Sequence, residues 1–275
     1  MKISAKIIVF NEESNIAEAC RSVDWADELV IVDSFSTDRT VEIAREFTDK
    51  VFFNRFENFR QQHIFADSKT SHDWVFWLDA DERLSPELRQ SILKLQELGE
   101  DVLPSAYRFS RRAQYFGRWI KHSGWYPNRV LRLYRKSASN WRDNPVHEGV
   151  TIEGDIGTLE GDLLHYTYNS LRDQHEVVAK YAALAADFRF EQGERAGWWS
   201  VLVRPPIAFI ESYFLKLGFL DGLHGLFIAY FRAYGVFLRS ALIWEHRHRE
   251  DDFPEPSEEG PDAQRQVETK EIISE

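Results

Sequence analysis

Trp74-Val75-Phe76-Trp77-Leu78-Asp79-Ala80-Asp81-Glu82 is the stretch from which the rest of the chain is best interpreted, because an apolar run ends there in three closely spaced carboxylates. A continuous run of aromatic and β-branched residues is typical of a strand buried on both faces of a parallel sheet. The carboxylates then stand at the strand's carboxyl end, where open α/β sheets bind ligands. Asp79 and Asp81 could hold a divalent cation there and leave coordination positions for phosphate.

A strand, a polar turn and a helix recur upstream of this stretch. Strands are predicted at residues 3–10, 28–32 and 50–53, and helices after Asn15, after Asp38 and over residues 58–71. This short spacing favours right-handed crossovers and a mostly parallel sheet. Ser85-Pro86-Glu87 predicts the start of a further helix after the acidic motif. The sequence therefore predicts an α/β fold whose mostly parallel central sheet is flanked by helices.

The pattern changes beyond Pro104. Strands are predicted at 106–111, 129–135 and 161–168, and their alternating character indicates some antiparallel pairing. The loops around Trp119 and Trp125 are aromatic and basic, which suits a substrate-facing surface or, more commonly for tryptophan, packing. Ser170 is expected to begin a long helix that ends near Gly193.

Residues 195–249 are expected to form an amphipathic helical extension to a domain at residues 1–194. Its longest uncharged run, residues 222–231, is about half of what a membrane-spanning helix needs, so no transmembrane segment is expected. Six Lys or Arg against three acids over residues 196–249, with many aromatics, suit an anionic membrane surface. Packing on the catalytic domain or on a second protomer in a homodimer is the alternative.

Composition excludes several classes of protein. The formal charge of the 275 residues is -11, of which residues 250–275 carry -8 and the remaining body -3. The acidic, proline-containing tail at residues 250–275 is expected to be disordered. A body without a basic stripe argues against nucleic-acid binding. The lone Cys20 excludes an internal disulfide framework, and no secretory signal precedes the first strand, so a cytoplasmic setting is expected.

Acidic and amide side chains follow successive strands of the predicted sheet. They are Asn11 with Glu12, Asp33 with Ser34, Asp38, and Asp79 with Asp81. Together they indicate a crevice for a nucleotide diphosphate, whose hydroxyl groups can donate to these acids. Neither a G-x-G-x-x-G nor a Walker pattern occurs, which argues against dinucleotide dehydrogenases and P-loop proteins. A metal ion is therefore expected to offset the charge of the diphosphate.

The runs from Phe10 to Ile16, from Glu28 to Thr40 and from Asp73 to Glu82 resemble glycosyltransferase family 2, and more narrowly its lipopolysaccharide core β-1,4-glucosyltransferase branch. The resemblance covers residues 1–245, including Gly218-Phe219-Leu220-Asp221-Gly222. It implies a GT-A (Rossmann-like) fold, a nucleotide-sugar donor and Mg²⁺ or Mn²⁺ held at Asp79 and Asp81.

The same resemblance implies which residues line the nucleotide pocket. They are Asn11, Glu12, Asp33, Asp38, Gln62 and Asp79. The chain departs from the family pattern immediately after Gln62, where His63 and Ile64 replace a basic residue and an asparagine. The nucleotide contacts that the family pattern implies at those two positions are therefore not expected from His63 and Ile64.

Downstream residues supply the remaining candidates. Inversion at an anomeric carbon needs a base, for which Glu148 is the candidate, with a loop ion pair to Arg142 as the alternative. His165 could be a third metal ligand, a diphosphate contact or a strand histidine bonded to the backbone. Arg129 or Arg132 could hold an anionic group, but strand alternation lets only one of them face the site.

These observations predict an inverting, metal-dependent glycosyltransferase, peripheral on the inner face of the cytoplasmic membrane. By resemblance it transfers a hexose, glucose from UDP-glucose, to a sugar hydroxyl of a lipopolysaccharide-core or related glycan or glycolipid acceptor. The alternatives are transfer to another polysaccharide or to a polyprenyl phosphate, and a non-catalytic, peripheral nucleotide-sugar-binding protein.

Overall fold

The structure is a computed structural model, and it describes residues 1–98, 103–141, 149–168 and 170–252. Strands and helices alternate through the first part of the chain, as the sequence predicts. The strands are β1 (Ile3–Val9), β2 (Glu28–Asp33), β3 (Val51–Phe53) and β4 (Trp74–Asp79), and the helices between them are α1 (Ile16–Ser22), α2 (Thr40–Ala44) and α3 (Phe59–Lys69).

The middle of the chain is rich in strands. It consists of β5 (Glu82–Leu84), α4 (Pro86–Glu97), β6 (Ala106–Tyr115), β7 (Arg118–Trp119), β8 (Asn128–Arg135), a 3-10 turn (Lys136–Ala138), β9 (Ser139–Trp141), β10 (Val150–Ile152) and β11 (Ile156–Tyr166). Side-chain caps begin three helices where the sequence predicts them. Asn58, Ser85 and Ser170 accept from the backbone N–H groups of Gln61, Leu88 and Asp173.

One nine-stranded sheet organises the molecule. Its strand order is β3-β2-β1-β4-β8-β6-β11-β5, with β7 paired to β6, while β9 and β10 form a separate hairpin. Strands β3, β2, β1, β4, β6 and β11 share one direction, because β4 and β6 are both antiparallel to β8. The structure confirms the α/β class, the mostly parallel sheet and the antiparallel pairing expected beyond Pro104.

Strand β4 is the centre of the core and is buried on both faces, as its sequence predicts. Phe76 and Leu78 pack on one side with residues of β1 and α4, whereas Val75 and Trp77 pack on the other with Tyr134 and Trp141. Burying each such side chain contributes roughly 1.5–3 kcal/mol. This packing fixes where strand β4 ends and therefore where Asp79 and Asp81 lie.

The C-terminal part is helical. It contains α5 (Leu171–Glu191), α6 (Trp198–Leu202), α7 (Arg204–Ile210), a π-helical turn (Glu211–Leu215), a 3-10 turn (Gly218–Asp221) and α8 (Leu223–Asp252). Helix α5 packs along α8 through buried Ala186 and Ile243. The expected boundary at residue 194 therefore falls between helices that share a core.

Helix α8 is longer than the uncharged run at residues 222–231 indicates. Its residues Leu223–His248 form one continuous helix that reaches spanning length and apolarity by length and composition alone. The uncharged run ends before Arg232, but the helix does not, because Arg232 and Arg239 both lie within it.

Candidate functional site

Strands β1, β2 and β4 end together at one edge of the sheet. Val9 is opposite Asp33 and Ile8 is opposite Asp79 in the two parallel ladders. Strands β6 and β11 run in the same direction, so His165 near the end of β11 reaches the same edge. The fold therefore brings the polar groups that follow separate strands to one crevice edge, as expected.

Asn11 joins the turn after β1 to the turn after β2. Its backbone N–H donates to Ser36 Oγ over 2.8 Å, and its Oδ1 accepts from the N–H of Thr37 over 2.8 Å. Asn11 has a φ of 55°, a left-handed conformation that asparagine tolerates better than most residues. Asn11 thus shapes this corner of the candidate pocket.

Asp33 and Gln62 lie at the base of the same corner and are buried. Asp33 accepts from the N–H of Ser36 over 2.8 Å and from its hydroxyl over 2.5 Å. Gln62 donates to Ser34 Oγ over 2.9 Å and accepts from Asn54 Nδ2 over 2.7 Å. Both side chains already have protein partners, so in this arrangement they support the turn at 34–36.

Glu12 and Asp38 flank Thr40 at the outer side of the corner. The N–H of Glu12 donates to Thr40 Oγ1 over 2.7 Å, and the Thr40 hydroxyl donates to Asp38 over 2.5 Å. Burial raises the pKa of Glu12, against a hydrogen bond from Asn15. Burial also opposes ionisation of Asp38, but hydrogen bonds from Thr40 and the Glu13 N–H outweigh it and lower its pKa.

Asp79 is held from two sides. Its Oδ1 accepts from the indole N–H of Trp77 over 2.7 Å, and its Oδ2 accepts from Arg132 Nη2 over 2.5 Å. Arg132 also donates over 2.9 Å to Glu82, which is fully buried. Burial disfavours the Arg132 cation, but Asp79 and Glu82 outweigh it and hold its pKa above the ordinary value. Arg132 therefore stays charged beside the acidic motif.

The structure decides between the two candidate arginines and adds Glu82 to the acidic cluster. Of the two candidate arginines on β8, Arg132 is buried and faces the acidic motif, whereas Arg129 is exposed. Glu82 was not singled out as a site residue, although it shares Arg132 with Asp79. Strand alternation could have favoured one arginine, but no sequence signal indicates the buried position of Glu82.

Asp81 and His165 contact each other although 84 positions separate them. His165 Nε2 lies 3.0 Å from Asp81 Oδ2, and the N–H of Tyr166 donates to the Asp81 carbonyl over 2.9 Å. The imidazole thus contacts a carboxylate. Burial opposes ionisation of Asp81, but the hydrogen bond and charge of His165, with the charge of Arg132, lower its pKa below the ordinary value.

The Asp81 carboxylate is the type of oxygen ligand that Mg²⁺ and Mn²⁺ take, whereas the His165 imidazole is a nitrogen donor that suits transition metals better than Mg²⁺. The Asp81 and His165 side chains adjoin and remain 32% and 21% exposed. Mg²⁺ commonly takes one or two protein carboxylates and completes its coordination with substrate phosphates and water. Within residues 1–98, 103–141, 149–168 and 170–252, no group of three or more His, Cys, Asp or Glu is arranged to hold a metal. Asp79, whose oxygens each already accept one bond, stays a predicted ligand.

A column of rings and cations lies behind Asp79. The Arg132 guanidinium is 3.7 Å from the centre of the Trp77 ring, and the His63 ring is 4.0 Å from Trp77 and 4.3 Å from Trp141. Lys6 lies 4.6 Å from the Trp141 ring and donates to Asp67 over 2.6 Å. The departure at His63 therefore places a buried, stacked ring at this position.

The electrostatics of the column follow from its burial. Burial, with the charges of Lys6 and Arg132, keeps the pKa of His63 well below its usual value. Burial also lowers the pKa of Lys6 to about 8, against the opposing effect of Asp67. His63 is therefore neutral at pH 7 and can pack against two indoles without bringing another charge into the core.

Aromatic side chains border the other end of the edge. Trp119 packs edge-on against Tyr166 with ring centres 5.6 Å apart, and Arg83 lies 5.8 Å from the Tyr166 ring. Trp125 instead packs on Tyr115 at 5.6 Å within a buried cluster. Of the two expected aromatic loops, the one with Trp119 contacts Tyr166, the residue after His165. Glu148, the candidate base, lies outside the described residues.

Comparisons with known proteins agree with this arrangement. Residues 4–151 match the model of the family described as glycosyl transferase family 2. The chain is 31% identical over 255 residues to the lipopolysaccharide core biosynthesis glycosyltransferase LpsC of Rhizobium meliloti, covering 90% of this chain and 93% of LpsC. It is 30% identical to an uncharacterized glycosyltransferase of Rickettsia typhi, covering 89% and 87% of the two chains.

A solved structure, that of residues 1–349 of S. aureus TarS, is 16% identical with a TM-score of 0.45, covering 92% of this chain and 93% of that one. The central sheet flanked by helices, with its C-terminal helices, is the GT-A-like arrangement that the resemblance implies. On the family match and the full-length similarity to LpsC, the chain belongs to glycosyl transferase family 2 and is a transferase.

Proposed function

We propose that the protein is an inverting, metal-dependent hexosyltransferase that moves glucose from UDP-glucose to a sugar hydroxyl of a lipopolysaccharide-core glycolipid at the inner face of the cytoplasmic membrane. The observation that carries the proposal is the meeting of the Asp33 corner, Asp79 and the Asp81–His165 pair at one sheet edge. The acceptor class is supported by the similarity to LpsC.

The proposed donor lies along this edge with its nucleoside at the β1–β2 corner. The turns held by Asn11, Asp33 and Gln62 present backbone and side-chain groups at a fixed position, and Glu12 and Asp38 offer acceptors for hydroxyl donors. In this proposal the diphosphate extends towards Asp79 and Asp81. The arrangement suits catalysis because positioning the reacting groups beforehand lowers the barrier.

Asp81 and His165 are the proposed protein ligands of the cation, with Asp79 beside them. A bound Mg²⁺ or Mn²⁺ would neutralise the diphosphate and act as a Lewis acid for its departure. Arg132 orients Asp79 through its short bond and offsets the charge of the buried Glu82. Arg132, with Arg111, thus balances the charges of Asp79 and Glu82 behind Asp81.

The acceptor would then approach from the Trp119 and Tyr166 side, where rings can stack on a sugar. Its hydroxyl needs a base on the face of the anomeric carbon opposite the diphosphate. We assign this role to Glu148, which the resemblance alone indicates and which follows Trp141 by seven positions in the sequence.

Donor and metal can be tested without knowing the acceptor. UDP release and UDP-sugar binding are measured over a panel of UDP-sugars, with Mg²⁺ or Mn²⁺ and with a chelator. The proposal predicts preference for UDP-glucose and loss of turnover on chelation that added cation restores. Turnover that continues at full rate with the chelator would contradict metal dependence, and binding without turnover in any acceptor extract would favour a non-catalytic protein.

A further inference from the structure

The segment from Trp198 to Leu223 exposes an unusual amount of apolar surface. Leu215 is 74% exposed, Trp198 69% and Leu223 68%, and Leu202, Ile207 and Phe214 are more than half exposed. They belong to α6, to α7, to the π-helical turn and to the first residue of α8. Isolated exposed apolar residues are ordinary, but a contiguous apolar segment of this kind marks a contact surface.

This segment is held firmly on its inner side, so the exposure belongs to a folded surface. The N–H of Ser123 donates to the Lys216 carbonyl over 2.9 Å, and the N–H of His122 donates to Asp221 over 2.9 Å. Gly218 lies so close to Gly225 that a Cβ on Gly225 would stand 1.8 Å from the Gly218 carbonyl oxygen. The inner residues are packed, and the outer ones face away from the protein.

The apolar surface adjoins the acceptor end of the candidate site. Arg118 Nη2 donates to the carbonyl of Leu220 over 3.4 Å, and β7, which contains Arg118 and Trp119, pairs with the end of β6. Strand β6 ends at the same sheet edge as the strands that carry Asp79 and His165. A planar partner on this surface would therefore lie next to the side from which the acceptor is proposed to enter.

Charge on the surface favours an anionic partner. Arg204 and Lys216 are exposed among the apolar residues, and the exposed Arg195 precedes them. Each of the two surface acids beside them is shared by two cations, because Glu194 bonds to Arg204 and Arg189, and Glu211 bonds to Lys216 and Arg232. Asp221 is buried against His122, so the exposed charge here is net positive. Basic residues beside tryptophan and aliphatic side chains suit the headgroup and interfacial layers of an anionic bilayer. A second copy would bring two cationic rims together.

We propose that the apolar surface of residues 198–223 docks on an anionic lipid bilayer and turns the acceptor end of the crevice towards it. Helix α8 stays on the protein, where it packs against α5 and α7 and where Arg232 pairs with Glu211 over 2.6 Å. The orientation of the crevice rests on the proposed function, but the docking itself requires neither donor nor acceptor.

Vesicle flotation of the full-length protein tests the docking. The expected result is that it floats with phosphatidylethanolamine–phosphatidylglycerol vesicles, much less with phosphatidylcholine vesicles, and is released by alkaline carbonate. Leu202→Glu with Leu215→Glu should weaken binding about tenfold or more, because two exposed apolar contacts become repelled charges. Leu98→Glu, at a residue 51% exposed beyond the end of α4, is the matched control and should float like the wild type.

The outcomes separate the competing occupants. Unchanged flotation of the double variant, or no binding of the wild type to anionic vesicles, overturns the proposal. Resistance to release by carbonate would assign α8 as a spanning helix. A concentration-dependent dimer that the double variant abolishes, in a protein that does not bind vesicles, would assign the surface to a second copy. Each variant's circular dichroism and UDP release on a water-soluble acceptor should match the wild type, which separates docking from turnover.

Discussion

Arg132, on strand β8, donates to Asp79 over 2.5 Å and so holds the acidic motif at the end of the neighbouring strand β4. The same guanidinium lies over the Trp77 ring, whose indole N–H bonds the other oxygen of Asp79. The carboxylate is therefore oriented by two donors before any substrate or cation arrives, and such pre-orientation favours a site at which charge develops on a departing group.

Replacing Arg132 should destabilise the fold. Arg132→Ala removes the cation nearest to Glu82, which is fully buried beside Asp79. Only the longer contact to Arg111, at 3.4 Å, then remains to balance its charge among the described residues. Removing one partner of a buried ion pair costs about 3–5 kcal/mol. Urea unfolding should show this loss, whereas Arg129→Ala, at an exposed position of the same strand, should change stability by less than about 0.5 kcal/mol. Equal effects of the two substitutions would contradict the assigned network.

Asp81 and His165 should be needed for cation binding even without substrate turnover. Asp81→Asn and His165→Ala should each weaken Mn²⁺ binding in the presence of UDP about tenfold or more, measured by electron paramagnetic resonance. Asp162→Asn is the control, because Asp162 lies on β11 but pairs with Arg112 over 2.9 Å. Mn²⁺ affinity that is unchanged in both site variants would remove this pair as the cation site.

Glu148 is expected to act in transfer and not in donor binding. Glu148→Gln should leave UDP-glucose affinity within about twofold and lower kcat by about 10²–10⁴, the usual contribution of a general base. Glu153→Gln, at a nearby exposed position, is the control. A near-normal kcat for Glu148→Gln, measured by UDP release with acceptor present, would show that another group takes the proton.

Glu28 should couple stability to acidic pH. Burial opposes its ionisation, but hydrogen bonds from Lys50, Ser4 and Ser71 outweigh it and lower its pKa to about 2 from 4.5. The folded state therefore binds the proton less readily than the unfolded state, so this stabilisation is present above pH 4.5 and is lost as pH falls towards 2. The wild type's stability advantage over Glu28→Gln in urea unfolding should shrink over that range. A constant difference would contradict this sign.

The first four strands could be predicted because their signals are local. Each strand is a short apolar run, and the turns after β1 and β2 begin with polar residues that lie at one edge once the strands are parallel. The same reasoning brought Asp33 and Asp79 together correctly. The sequence left His165 open as a metal ligand, a diphosphate contact or a strand histidine bonded to the backbone. In the structure it contacts Asp81, 84 positions away, and its role in a cation site stays a prediction.

The rest depends on pairings that no local pattern reveals. Glu82 follows two aspartates in the sequence and resembles another exposed acid, yet its burial depends on Arg132, 50 positions later on a strand inserted antiparallel beside β4. The length of helix α8 was underestimated because an arginine was read as the end of an apolar run, whereas Arg232 lies within the helix and pairs with Glu211.

The central claim is hexose transfer from a nucleotide sugar, and mass spectrometry of the acceptor tests it most directly. Lipopolysaccharide-core glycolipid lacking its terminal hexose is incubated with UDP-glucose, Mg²⁺ and either the wild type or Asp81→Asn. The predicted result is the mass gain of one hexose with the wild type and a greatly reduced gain with Asp81→Asn. An unchanged acceptor mass, from folded protein that binds UDP-glucose, would contradict the proposed transfer.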